Sequence, residues 1–160
     1  MSFAGRTASN PLIGMVAGEA SGDFLGGSLI AALKKSMPGA QFVGIGGPRM
    51  AAQGFESWYP MERLAVRGYA EVLRHYIAIT SMRRTLFRRL ADASPSLFIG
   101  IDAPDFNLPL ERRLKKRSIR TIHYVSPSIW AWRGGRIRSI GRSVGRMLVL
   151  FPFEEQLYQR

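Results

Sequence analysis

The chain contains no cysteine and only two histidines, His75 and His123. Disulfides and thiolate metal sites are therefore excluded, and a structural zinc site has too few imidazoles. The lack of cysteine fits a cytosolic protein. Acidic residues are scarce as well: 11 Asp and Glu face 23 Lys and Arg, a formal net charge of +12. Such a surface attracts nucleic acid, phosphorylated metabolites or an anionic bilayer. No apolar run reaches the length that spans a bilayer. Residues 1–10 are small and polar, without the apolar core of a secretory signal, and read as a loose leader. Repeats and low-complexity linkers are missing too. What remains is a globular composition, 46% hydrophobic and 21% charged over 160 residues, enough for one domain, 11–160, with a sizeable core.

The most informative stretch is Leu97-Phe-Ile-Gly-Ile-Asp-Ala-Pro-Asp-Phe-Asn107. Leu97 to Ile101 is apolar on both faces, as expected of a strand covered by helices on both sides. Polarity then changes at once, with Asp102, Asp105 and Asn107. Ligands of open α/β sheets sit beyond the carboxyl ends of the strands, so a carboxylate just past a buried strand is a candidate for chemistry. The competing reading is that Asp102 binds turn amides and that Asp105 or Asn107 caps the next helix.

Around this stretch the hydrophobic pattern alternates. Strands are expected at 11–17, 41–45, 97–101, 120–125 and 146–150. Helices are expected at 24–37, 48–53, 70–91, 108–117, 130–144 and from Phe153, with Pro109 in the first turn of its helix. Residues 55–68 fit neither pattern cleanly. Strands alternating with helices imply βαβ units and a right-handed, parallel, Rossmann-like α/β sheet flanked by helices. The last helix has no capping signal before Arg160, the pattern expected of a piece of a longer chain.

Three further motifs carry chemical signals. Gly18-Glu-Ala-Ser-Gly-Asp23 joins the first strand to the first helix, and Ser21 and Gly22 could approach a ligand there. It matches neither a dinucleotide fingerprint nor a P-loop, and Glu19 and Asp23 would repel a phosphate. A tight turn explains it equally well. His123 to Arg133 (HYVSPSIWAWR) clusters aromatic, hydroxyl and basic groups, a mixture found at sugar and phosphate sites; Ser126, Trp132 and Arg133 are its candidates. The two tryptophans serve equally well as an edge plug. His123, inside a strand, reads as a packed, hydrogen-bonded histidine. The helix at 70–91 sets a wide apolar arc against Arg74, Arg83, Arg84, Arg88 and Arg89. A core-packed amphipathic helix is the ordinary meaning, and a helix on an anionic bilayer is the alternative.

VAGEASGD (16–23), FVGIGGPRM (42–50), FIGIDAPDFN (98–107), HYVSPSIWAWR (123–133) and LFPFE (150–154) together resemble the lipid-A-disaccharide synthase family, in matching order from about Leu12 onward. The resemblance implies the amino-terminal domain of a GT-B glycosyltransferase. Such enzymes are inverting and make the β-1,6 disaccharide of lipid A from UDP-2,3-diacylglucosamine and 2,3-diacylglucosamine 1-phosphate, releasing UDP. It implies work at the cytoplasmic face of the inner membrane, with no metal or other cofactor. Asp102 falls on the family's proposed catalytic base. Ser21, Gly22, Asp105, Asn107, Ser126, Trp132 and Arg133 are then the candidate substrate contacts. The membrane-contacting region falls on about 64–90, with Leu64, Val66, Tyr69, Val72, Leu73, Arg74, Tyr76, Arg83 and Arg84 as candidates.

The expected partners are the acylated glucosamine phosphate acceptor, an anionic membrane surface, and the UDP-sugar donor through a carboxy-terminal domain that this chain lacks. Nucleic acid is not expected, and a homodimer is left open. Arg67 stands where family members commonly have an apolar residue; an arginine there can still reach lipid phosphates. The competing classes are a basic nucleic-acid-binding module, which rests on net charge alone, and a flavodoxin-like nucleotide binder.

Overall fold

The computed structural model describes residues 10–64, 72–127 and 140–158, with side chains described except at 72–75 and 156–158. The first strand, β1 (Leu12–Ala17), is followed by α1 (Ala20–Ser36), β2 (Gln41–Ile45), the short α2 (Pro48–Ala51) and β3 (Phe55–Tyr59). A 3-10 turn (Met61–Leu64) precedes the long α3 (Val72–Ala93). Then come β4 (Leu97–Ile101), α4 (Pro104–Lys115), β5 (Arg120–Tyr124), β6 (Arg146–Leu148) and α5 (Pro152–Tyr158). The strands form one sheet in the order β3-β2-β1-β4-β5-β6, and every pairing is parallel. This is the Rossmann order; the alternating pattern implied a Rossmann-like parallel sheet, and the order and β3 come from the structure.

Side-chain alternation along the central strands builds two cores. Ile13, Met15 and Ala17 of β1, with Ile99 and Ile101 of β4, face Ile30 and its neighbours on α1. Val16 of β1 and Phe98 of β4 face Leu86 and Leu90 of α3 and Phe106, Leu110 and Leu114 of α4. Both faces of β1 and β4 are thus apolar, which is why their sequences read as unbroken apolar runs. The helix at α3 is a core element in its second half, where Leu86 and Leu90 are fully buried. Its beginning differs: Tyr76 and Ile77 are 64% and 62% exposed.

Several boundaries depart from the sequence pattern. The helix α1 starts at Ala20 rather than Phe24, because Glu19 takes the extended N-cap conformation and the small residues after it wind into the first turn. The helix α4 starts at Pro104 rather than Leu108, so Pro109 lies inside it and not in its first turn. The unread segment 55–68 begins with β3, an edge strand whose Glu56 and Ser57 are exposed and break the apolar pattern. The end of the helix expected at 130–144 is seen at residues 140–143; the rest lies outside the described residues.

Asp23 shows how non-local the capping is. It sits in α1, 2% exposed, and its carboxylate accepts from the amides of Gly47 (2.9 Å), Arg49 (2.9 Å) and Met50 (3.0 Å). These are the orphan donors at the start of α2, whose N-cap is a glycine with no side chain to offer. Asp23→Ala should cost about 2–4 kcal/mol, because three amides, two of them buried, lose their side-chain acceptor. Asp23→Asn should cost less, since one acceptor oxygen survives. Urea unfolding would test this; an Ala variant within about 0.5 kcal/mol of the parent would remove Asp23 from the capping role.

Candidate active site at the β1–β4 crevice

The crossovers leave β1 and β4 in opposite directions along the sheet, so a crevice opens between the carboxyl ends of these neighbours. A pocket of about 430 Å3 occupies it, lined by Glu19 from the β1 side, Asp102 to Phe106 from the β4 side, and Leu64, Tyr76, Ile79 and Arg83 from the segment between β3 and β4. A larger concavity of about 700 Å3 lies at the opposite, amino-terminal ends of the strands, edged by Lys115, Arg120 and Arg146. It contains none of the residues singled out for chemistry.

Asp102 is the first residue past β4, partly exposed, at the pocket wall. Its amide donates to Tyr124 O at 2.9 Å, which extends the β4–β5 ladder by one bond. Its φ is +51°, and Ala103 follows at +42°. Two consecutive non-glycine residues in the left-handed region store strain of about 1 kcal/mol or more each, and surrounding contacts must hold them there. Asn107 supplies one. Its Nδ2 donates to Asp102 O at 2.8 Å and reaches Val16 O and Ile101 O at 3.4 Å each. Asn107 is fully buried. Expected among the substrate contacts, it instead braces the turn from beneath. Gly22 is buried too, packed against Ala17 and Ile101, where a Cβ would stand 3.4 Å from the Ala17 Cβ.

Pro109 has a local consequence for the pocket. A helical residue at this position would donate its amide to Asp105 O, and proline has no amide hydrogen. Arg83 takes that place: its Nη1 donates to Asp105 O at 3.0 Å, and its guanidinium lies 6.0 Å from the Phe106 ring centroid. The proline inside α4 thereby helps fix an α3 arginine at the pocket. Burial is the main cause that holds the Arg83 pKa below its ordinary value; Tyr76 opposes this shift and Arg113 adds to it.

The remaining candidates divide. Asp105, exposed in the first turn of α4, Leu64, Tyr76 and Arg83 meet Asp102 in the one pocket. Ser21 is exposed in the first turn of α1, and Ser126 is partly buried just past β5, both at the same end of the sheet. Arg84 is exposed on α3. Val66, Tyr69, Trp132 and Arg133 lie outside the described residues, as do the side chains of Val72, Leu73 and Arg74. Glu19 and Phe106 line the pocket without having been singled out. Among the described residues no cluster of His, Asp and Glu could hold a metal ion.

Beneath the turn lies a pair that the sequence half revealed. His123 is fully buried, and its Nδ1 is 2.8 Å from Oε1 of Glu111, also fully buried. Glu111 was not anticipated; only its spatial meeting with His123 marks it. Burial raises the Glu111 pKa above the ordinary 4.5, against the opposing hydrogen bond and charge of His123. The native state therefore holds this proton more tightly than the unfolded chain does. The resulting stability is fully present below about pH 4.5 and is lost as pH rises through the raised native value. Glu111→Gln has no such proton to lose. The stability of the parent relative to the Gln variant should thus fall as pH rises above the ordinary 4.5. Thermal unfolding of both proteins from below that value upward would check it, and parallel curves would contradict it.

The model of the lipid-A-disaccharide synthetase family matches residues 13–160. The lipid-A-disaccharide synthase of Dechloromonas aromatica is 62% identical over 148 residues, 92% of this chain and 39% of that protein. Those of Methylobacillus flagellatus and Serratia proteamaculans are 58% and 55% identical, over 94% and 92% of this chain and 40% and 39% of their own lengths. The chain thus spans about two fifths of the length of these curated relatives. With the matched region running from the start of β1 through α5, the chain belongs to the lipid-A-disaccharide synthetase family.

Proposed function

We propose that this chain forms the acceptor- and membrane-facing part of an inverting glycosyltransferase. The reaction joins UDP-2,3-diacylglucosamine to 2,3-diacylglucosamine 1-phosphate, forming the β-1,6 disaccharide of lipid A and releasing UDP. Family membership across residues 13–160 carries this reading. Inversion needs one displacement, in which an acceptor hydroxyl attacks the anomeric carbon as UDP departs. Asp102 is the proposed general base: its carboxylate takes the hydroxyl proton as the new bond forms. Its place at the mouth of the β1–β4 crevice, on a braced turn, supports this role. Asp105, Ser21, Ser126, Trp132 and Arg133 are proposed substrate contacts. Contacts to the UDP sugar belong to the length that the relatives have beyond the match.

The 160-residue chain alone should be silent toward both substrates, since the proposal assigns the contacts that orient the leaving group to the rest of the relatives' length. Fusion to the carboxy-terminal remainder of the Dechloromonas aromatica relative should restore turnover. In that fusion Asp102→Asn should lower kcat by about 10²–10⁴, the usual worth of a general base. Asp105→Asn should act mainly on binding or stability. Near-normal kcat for the first variant with loss in the second would exchange the two roles.

The second element of the proposal is peripheral binding at the inner face of the inner membrane. No helix among the described residues is long and apolar enough to cross a bilayer. Support comes from the start of α3, where Tyr76 and Ile77 stand exposed with Arg84 two turns further on. Leu64, Val66, Tyr69, Val72, Leu73, Arg74 and Arg83 are the other proposed contributors. Each basic group near an anionic surface adds about 1 kcal/mol, screened by salt. Sedimentation with vesicles should show a preference for anionic lipid, release at high salt, and weaker binding after Tyr76→Ser with Ile77→Ser. Equal binding to neutral vesicles, or none, would assign α3 to core packing alone.

A further inference from the structure

The Glu111–His123 pair lies outside the pocket, yet it is joined to the Asp102 turn from two directions. His123 pairs with Gly100 in the β4–β5 ladder, and the next residue, Tyr124, receives the Asp102 amide at 2.9 Å. Glu111 stands one helical turn after Asn107, whose side-chain amide holds Asp102 O at 2.8 Å. Gly100 is the hub. A Cβ there would fall 2.1 Å from Glu111 Oε1 and 2.9 Å from the Asn107 Cβ, so only glycine leaves room for both side chains against β4. The contact between Glu111 and His123 is thus a direct tie from α4 to β5 beneath both anchors of the turn.

Three atoms of this group, Asn107 Oδ1, Glu111 Oε2 and His123 Nε2, are buried with no hydrogen-bond partner. A buried polar pair adds little to stability by itself, since apolar side chains of similar volume often replace one at no loss. We propose that Glu111 and His123 are positioning residues for Asp102, fixing the spacing of α4 and β5 on which the direction of its side chain depends. The inference rests on the reading of Asp102 as the base, but its geometry can be tested without any substrate.

The amide resonances of Asp102 and Ala103 in the 160-residue chain report the turn directly. Glu111→Gln keeps a hydrogen-bonding group of the same length opposite His123 Nδ1 and should leave both resonances in place. Glu111→Leu removes the tie and should displace them. Glu111→Asp, one methylene shorter, reads the same displacement if the leucine variant does not fold. Leu114→Ala, fully buried on the same helix but apolar, is the control for general destabilisation. It should lower the melting temperature and leave the two amides unmoved. In the fused enzyme, the displaced variants should lose about 10-fold or more in kcat with little change in acceptor KM. Unmoved amides in the Leu or Asp variants, or equal movement in Leu114→Ala, would overturn the positioning role. Failure of Asp102→Asn to affect kcat would instead unseat the base and leave the amide result standing.

Discussion

A single side-chain amide holds together the two strand ends between which the crevice opens. The chains leave β1 and β4 toward opposite sides of the sheet, and the carbonyls of Val16, Ile101 and Asp102 come together beneath the crevice. Val16 and Ile101 are buried, and a buried backbone oxygen without a donor costs free energy comparable to a lost hydrogen bond. Asn107 Nδ2 faces Val16 O of β1, Ile101 O of β4 and Asp102 O of the turn. All three are acceptors only, which requires the nitrogen, not the oxygen, to point at them. The crevice opens where these carbonyls converge, and one asparagine from α4 faces all three. It closes the floor and holds Asp102 and Ala103 in the left-handed region.

Groups that are missing do comparable work around this tie. Pro109 lacks an amide hydrogen, and the carbonyl so released receives Arg83. Gly100 lacks a Cβ, and the space so released receives Glu111 and Asn107. Gly47 lacks a side chain to cap α2, and Asp23 crosses from α1 to do so. In each case the vacancy in one element is filled by a polar side chain from another. The packing of helices on the sheet and the polar network at its carboxyl end are therefore one system. A change at Pro109 or Gly100 would be felt at the pocket although neither residue lines it.

These couplings also explain which parts of the molecule were legible in the sequence. Parallel strands buried on both faces leave continuous apolar runs, so LIGMVA and LFIGI could be read directly, and with them the strand alternation and the place of Asp102. The edge strand β3 is covered on fewer sides, carries Glu56 and Ser57, and left no such trace. The helix starts at Ala20 and Pro104 were missed because their signals are not the local ones. No cap hydrogen bond comes from Glu19 or Ala103, and the second is left-handed, a conformation that alanine does not advertise. Asp23 looked like part of a ligand turn because the helix it caps lies more than twenty residues away. His123 could be read as a packed, hydrogen-bonded histidine from its strand, whereas its partner required the fold. The wide apolar arc of α3 was ambiguous for a physical reason: Leu86 and Leu90 face the core while Tyr76 and Ile77 stand exposed, so the arc is wider than one buried face needs.

The burial of Glu111 against His123 calls for an account beyond stability. Removing two polarisable groups from water is expensive, and apolar side chains of similar volume often replace such pairs at no loss. The neighbouring positions show that this core accepts that solution, since Leu110 and Leu114 flank Glu111 on the same helix and are fully buried. A leucine at Glu111 would continue the apolar face of α4 without interruption. It could not, however, fix one distance: apolar contacts slide and repack, whereas a 2.8 Å hydrogen bond between two buried groups has a narrow minimum in both length and direction. The pair sits where α4 and β5 carry two anchors of a strained turn, the Asn107 side chain and the Tyr124 carbonyl. A polar tie there trades some stability for a defined geometry, which suits the general-base role proposed for Asp102.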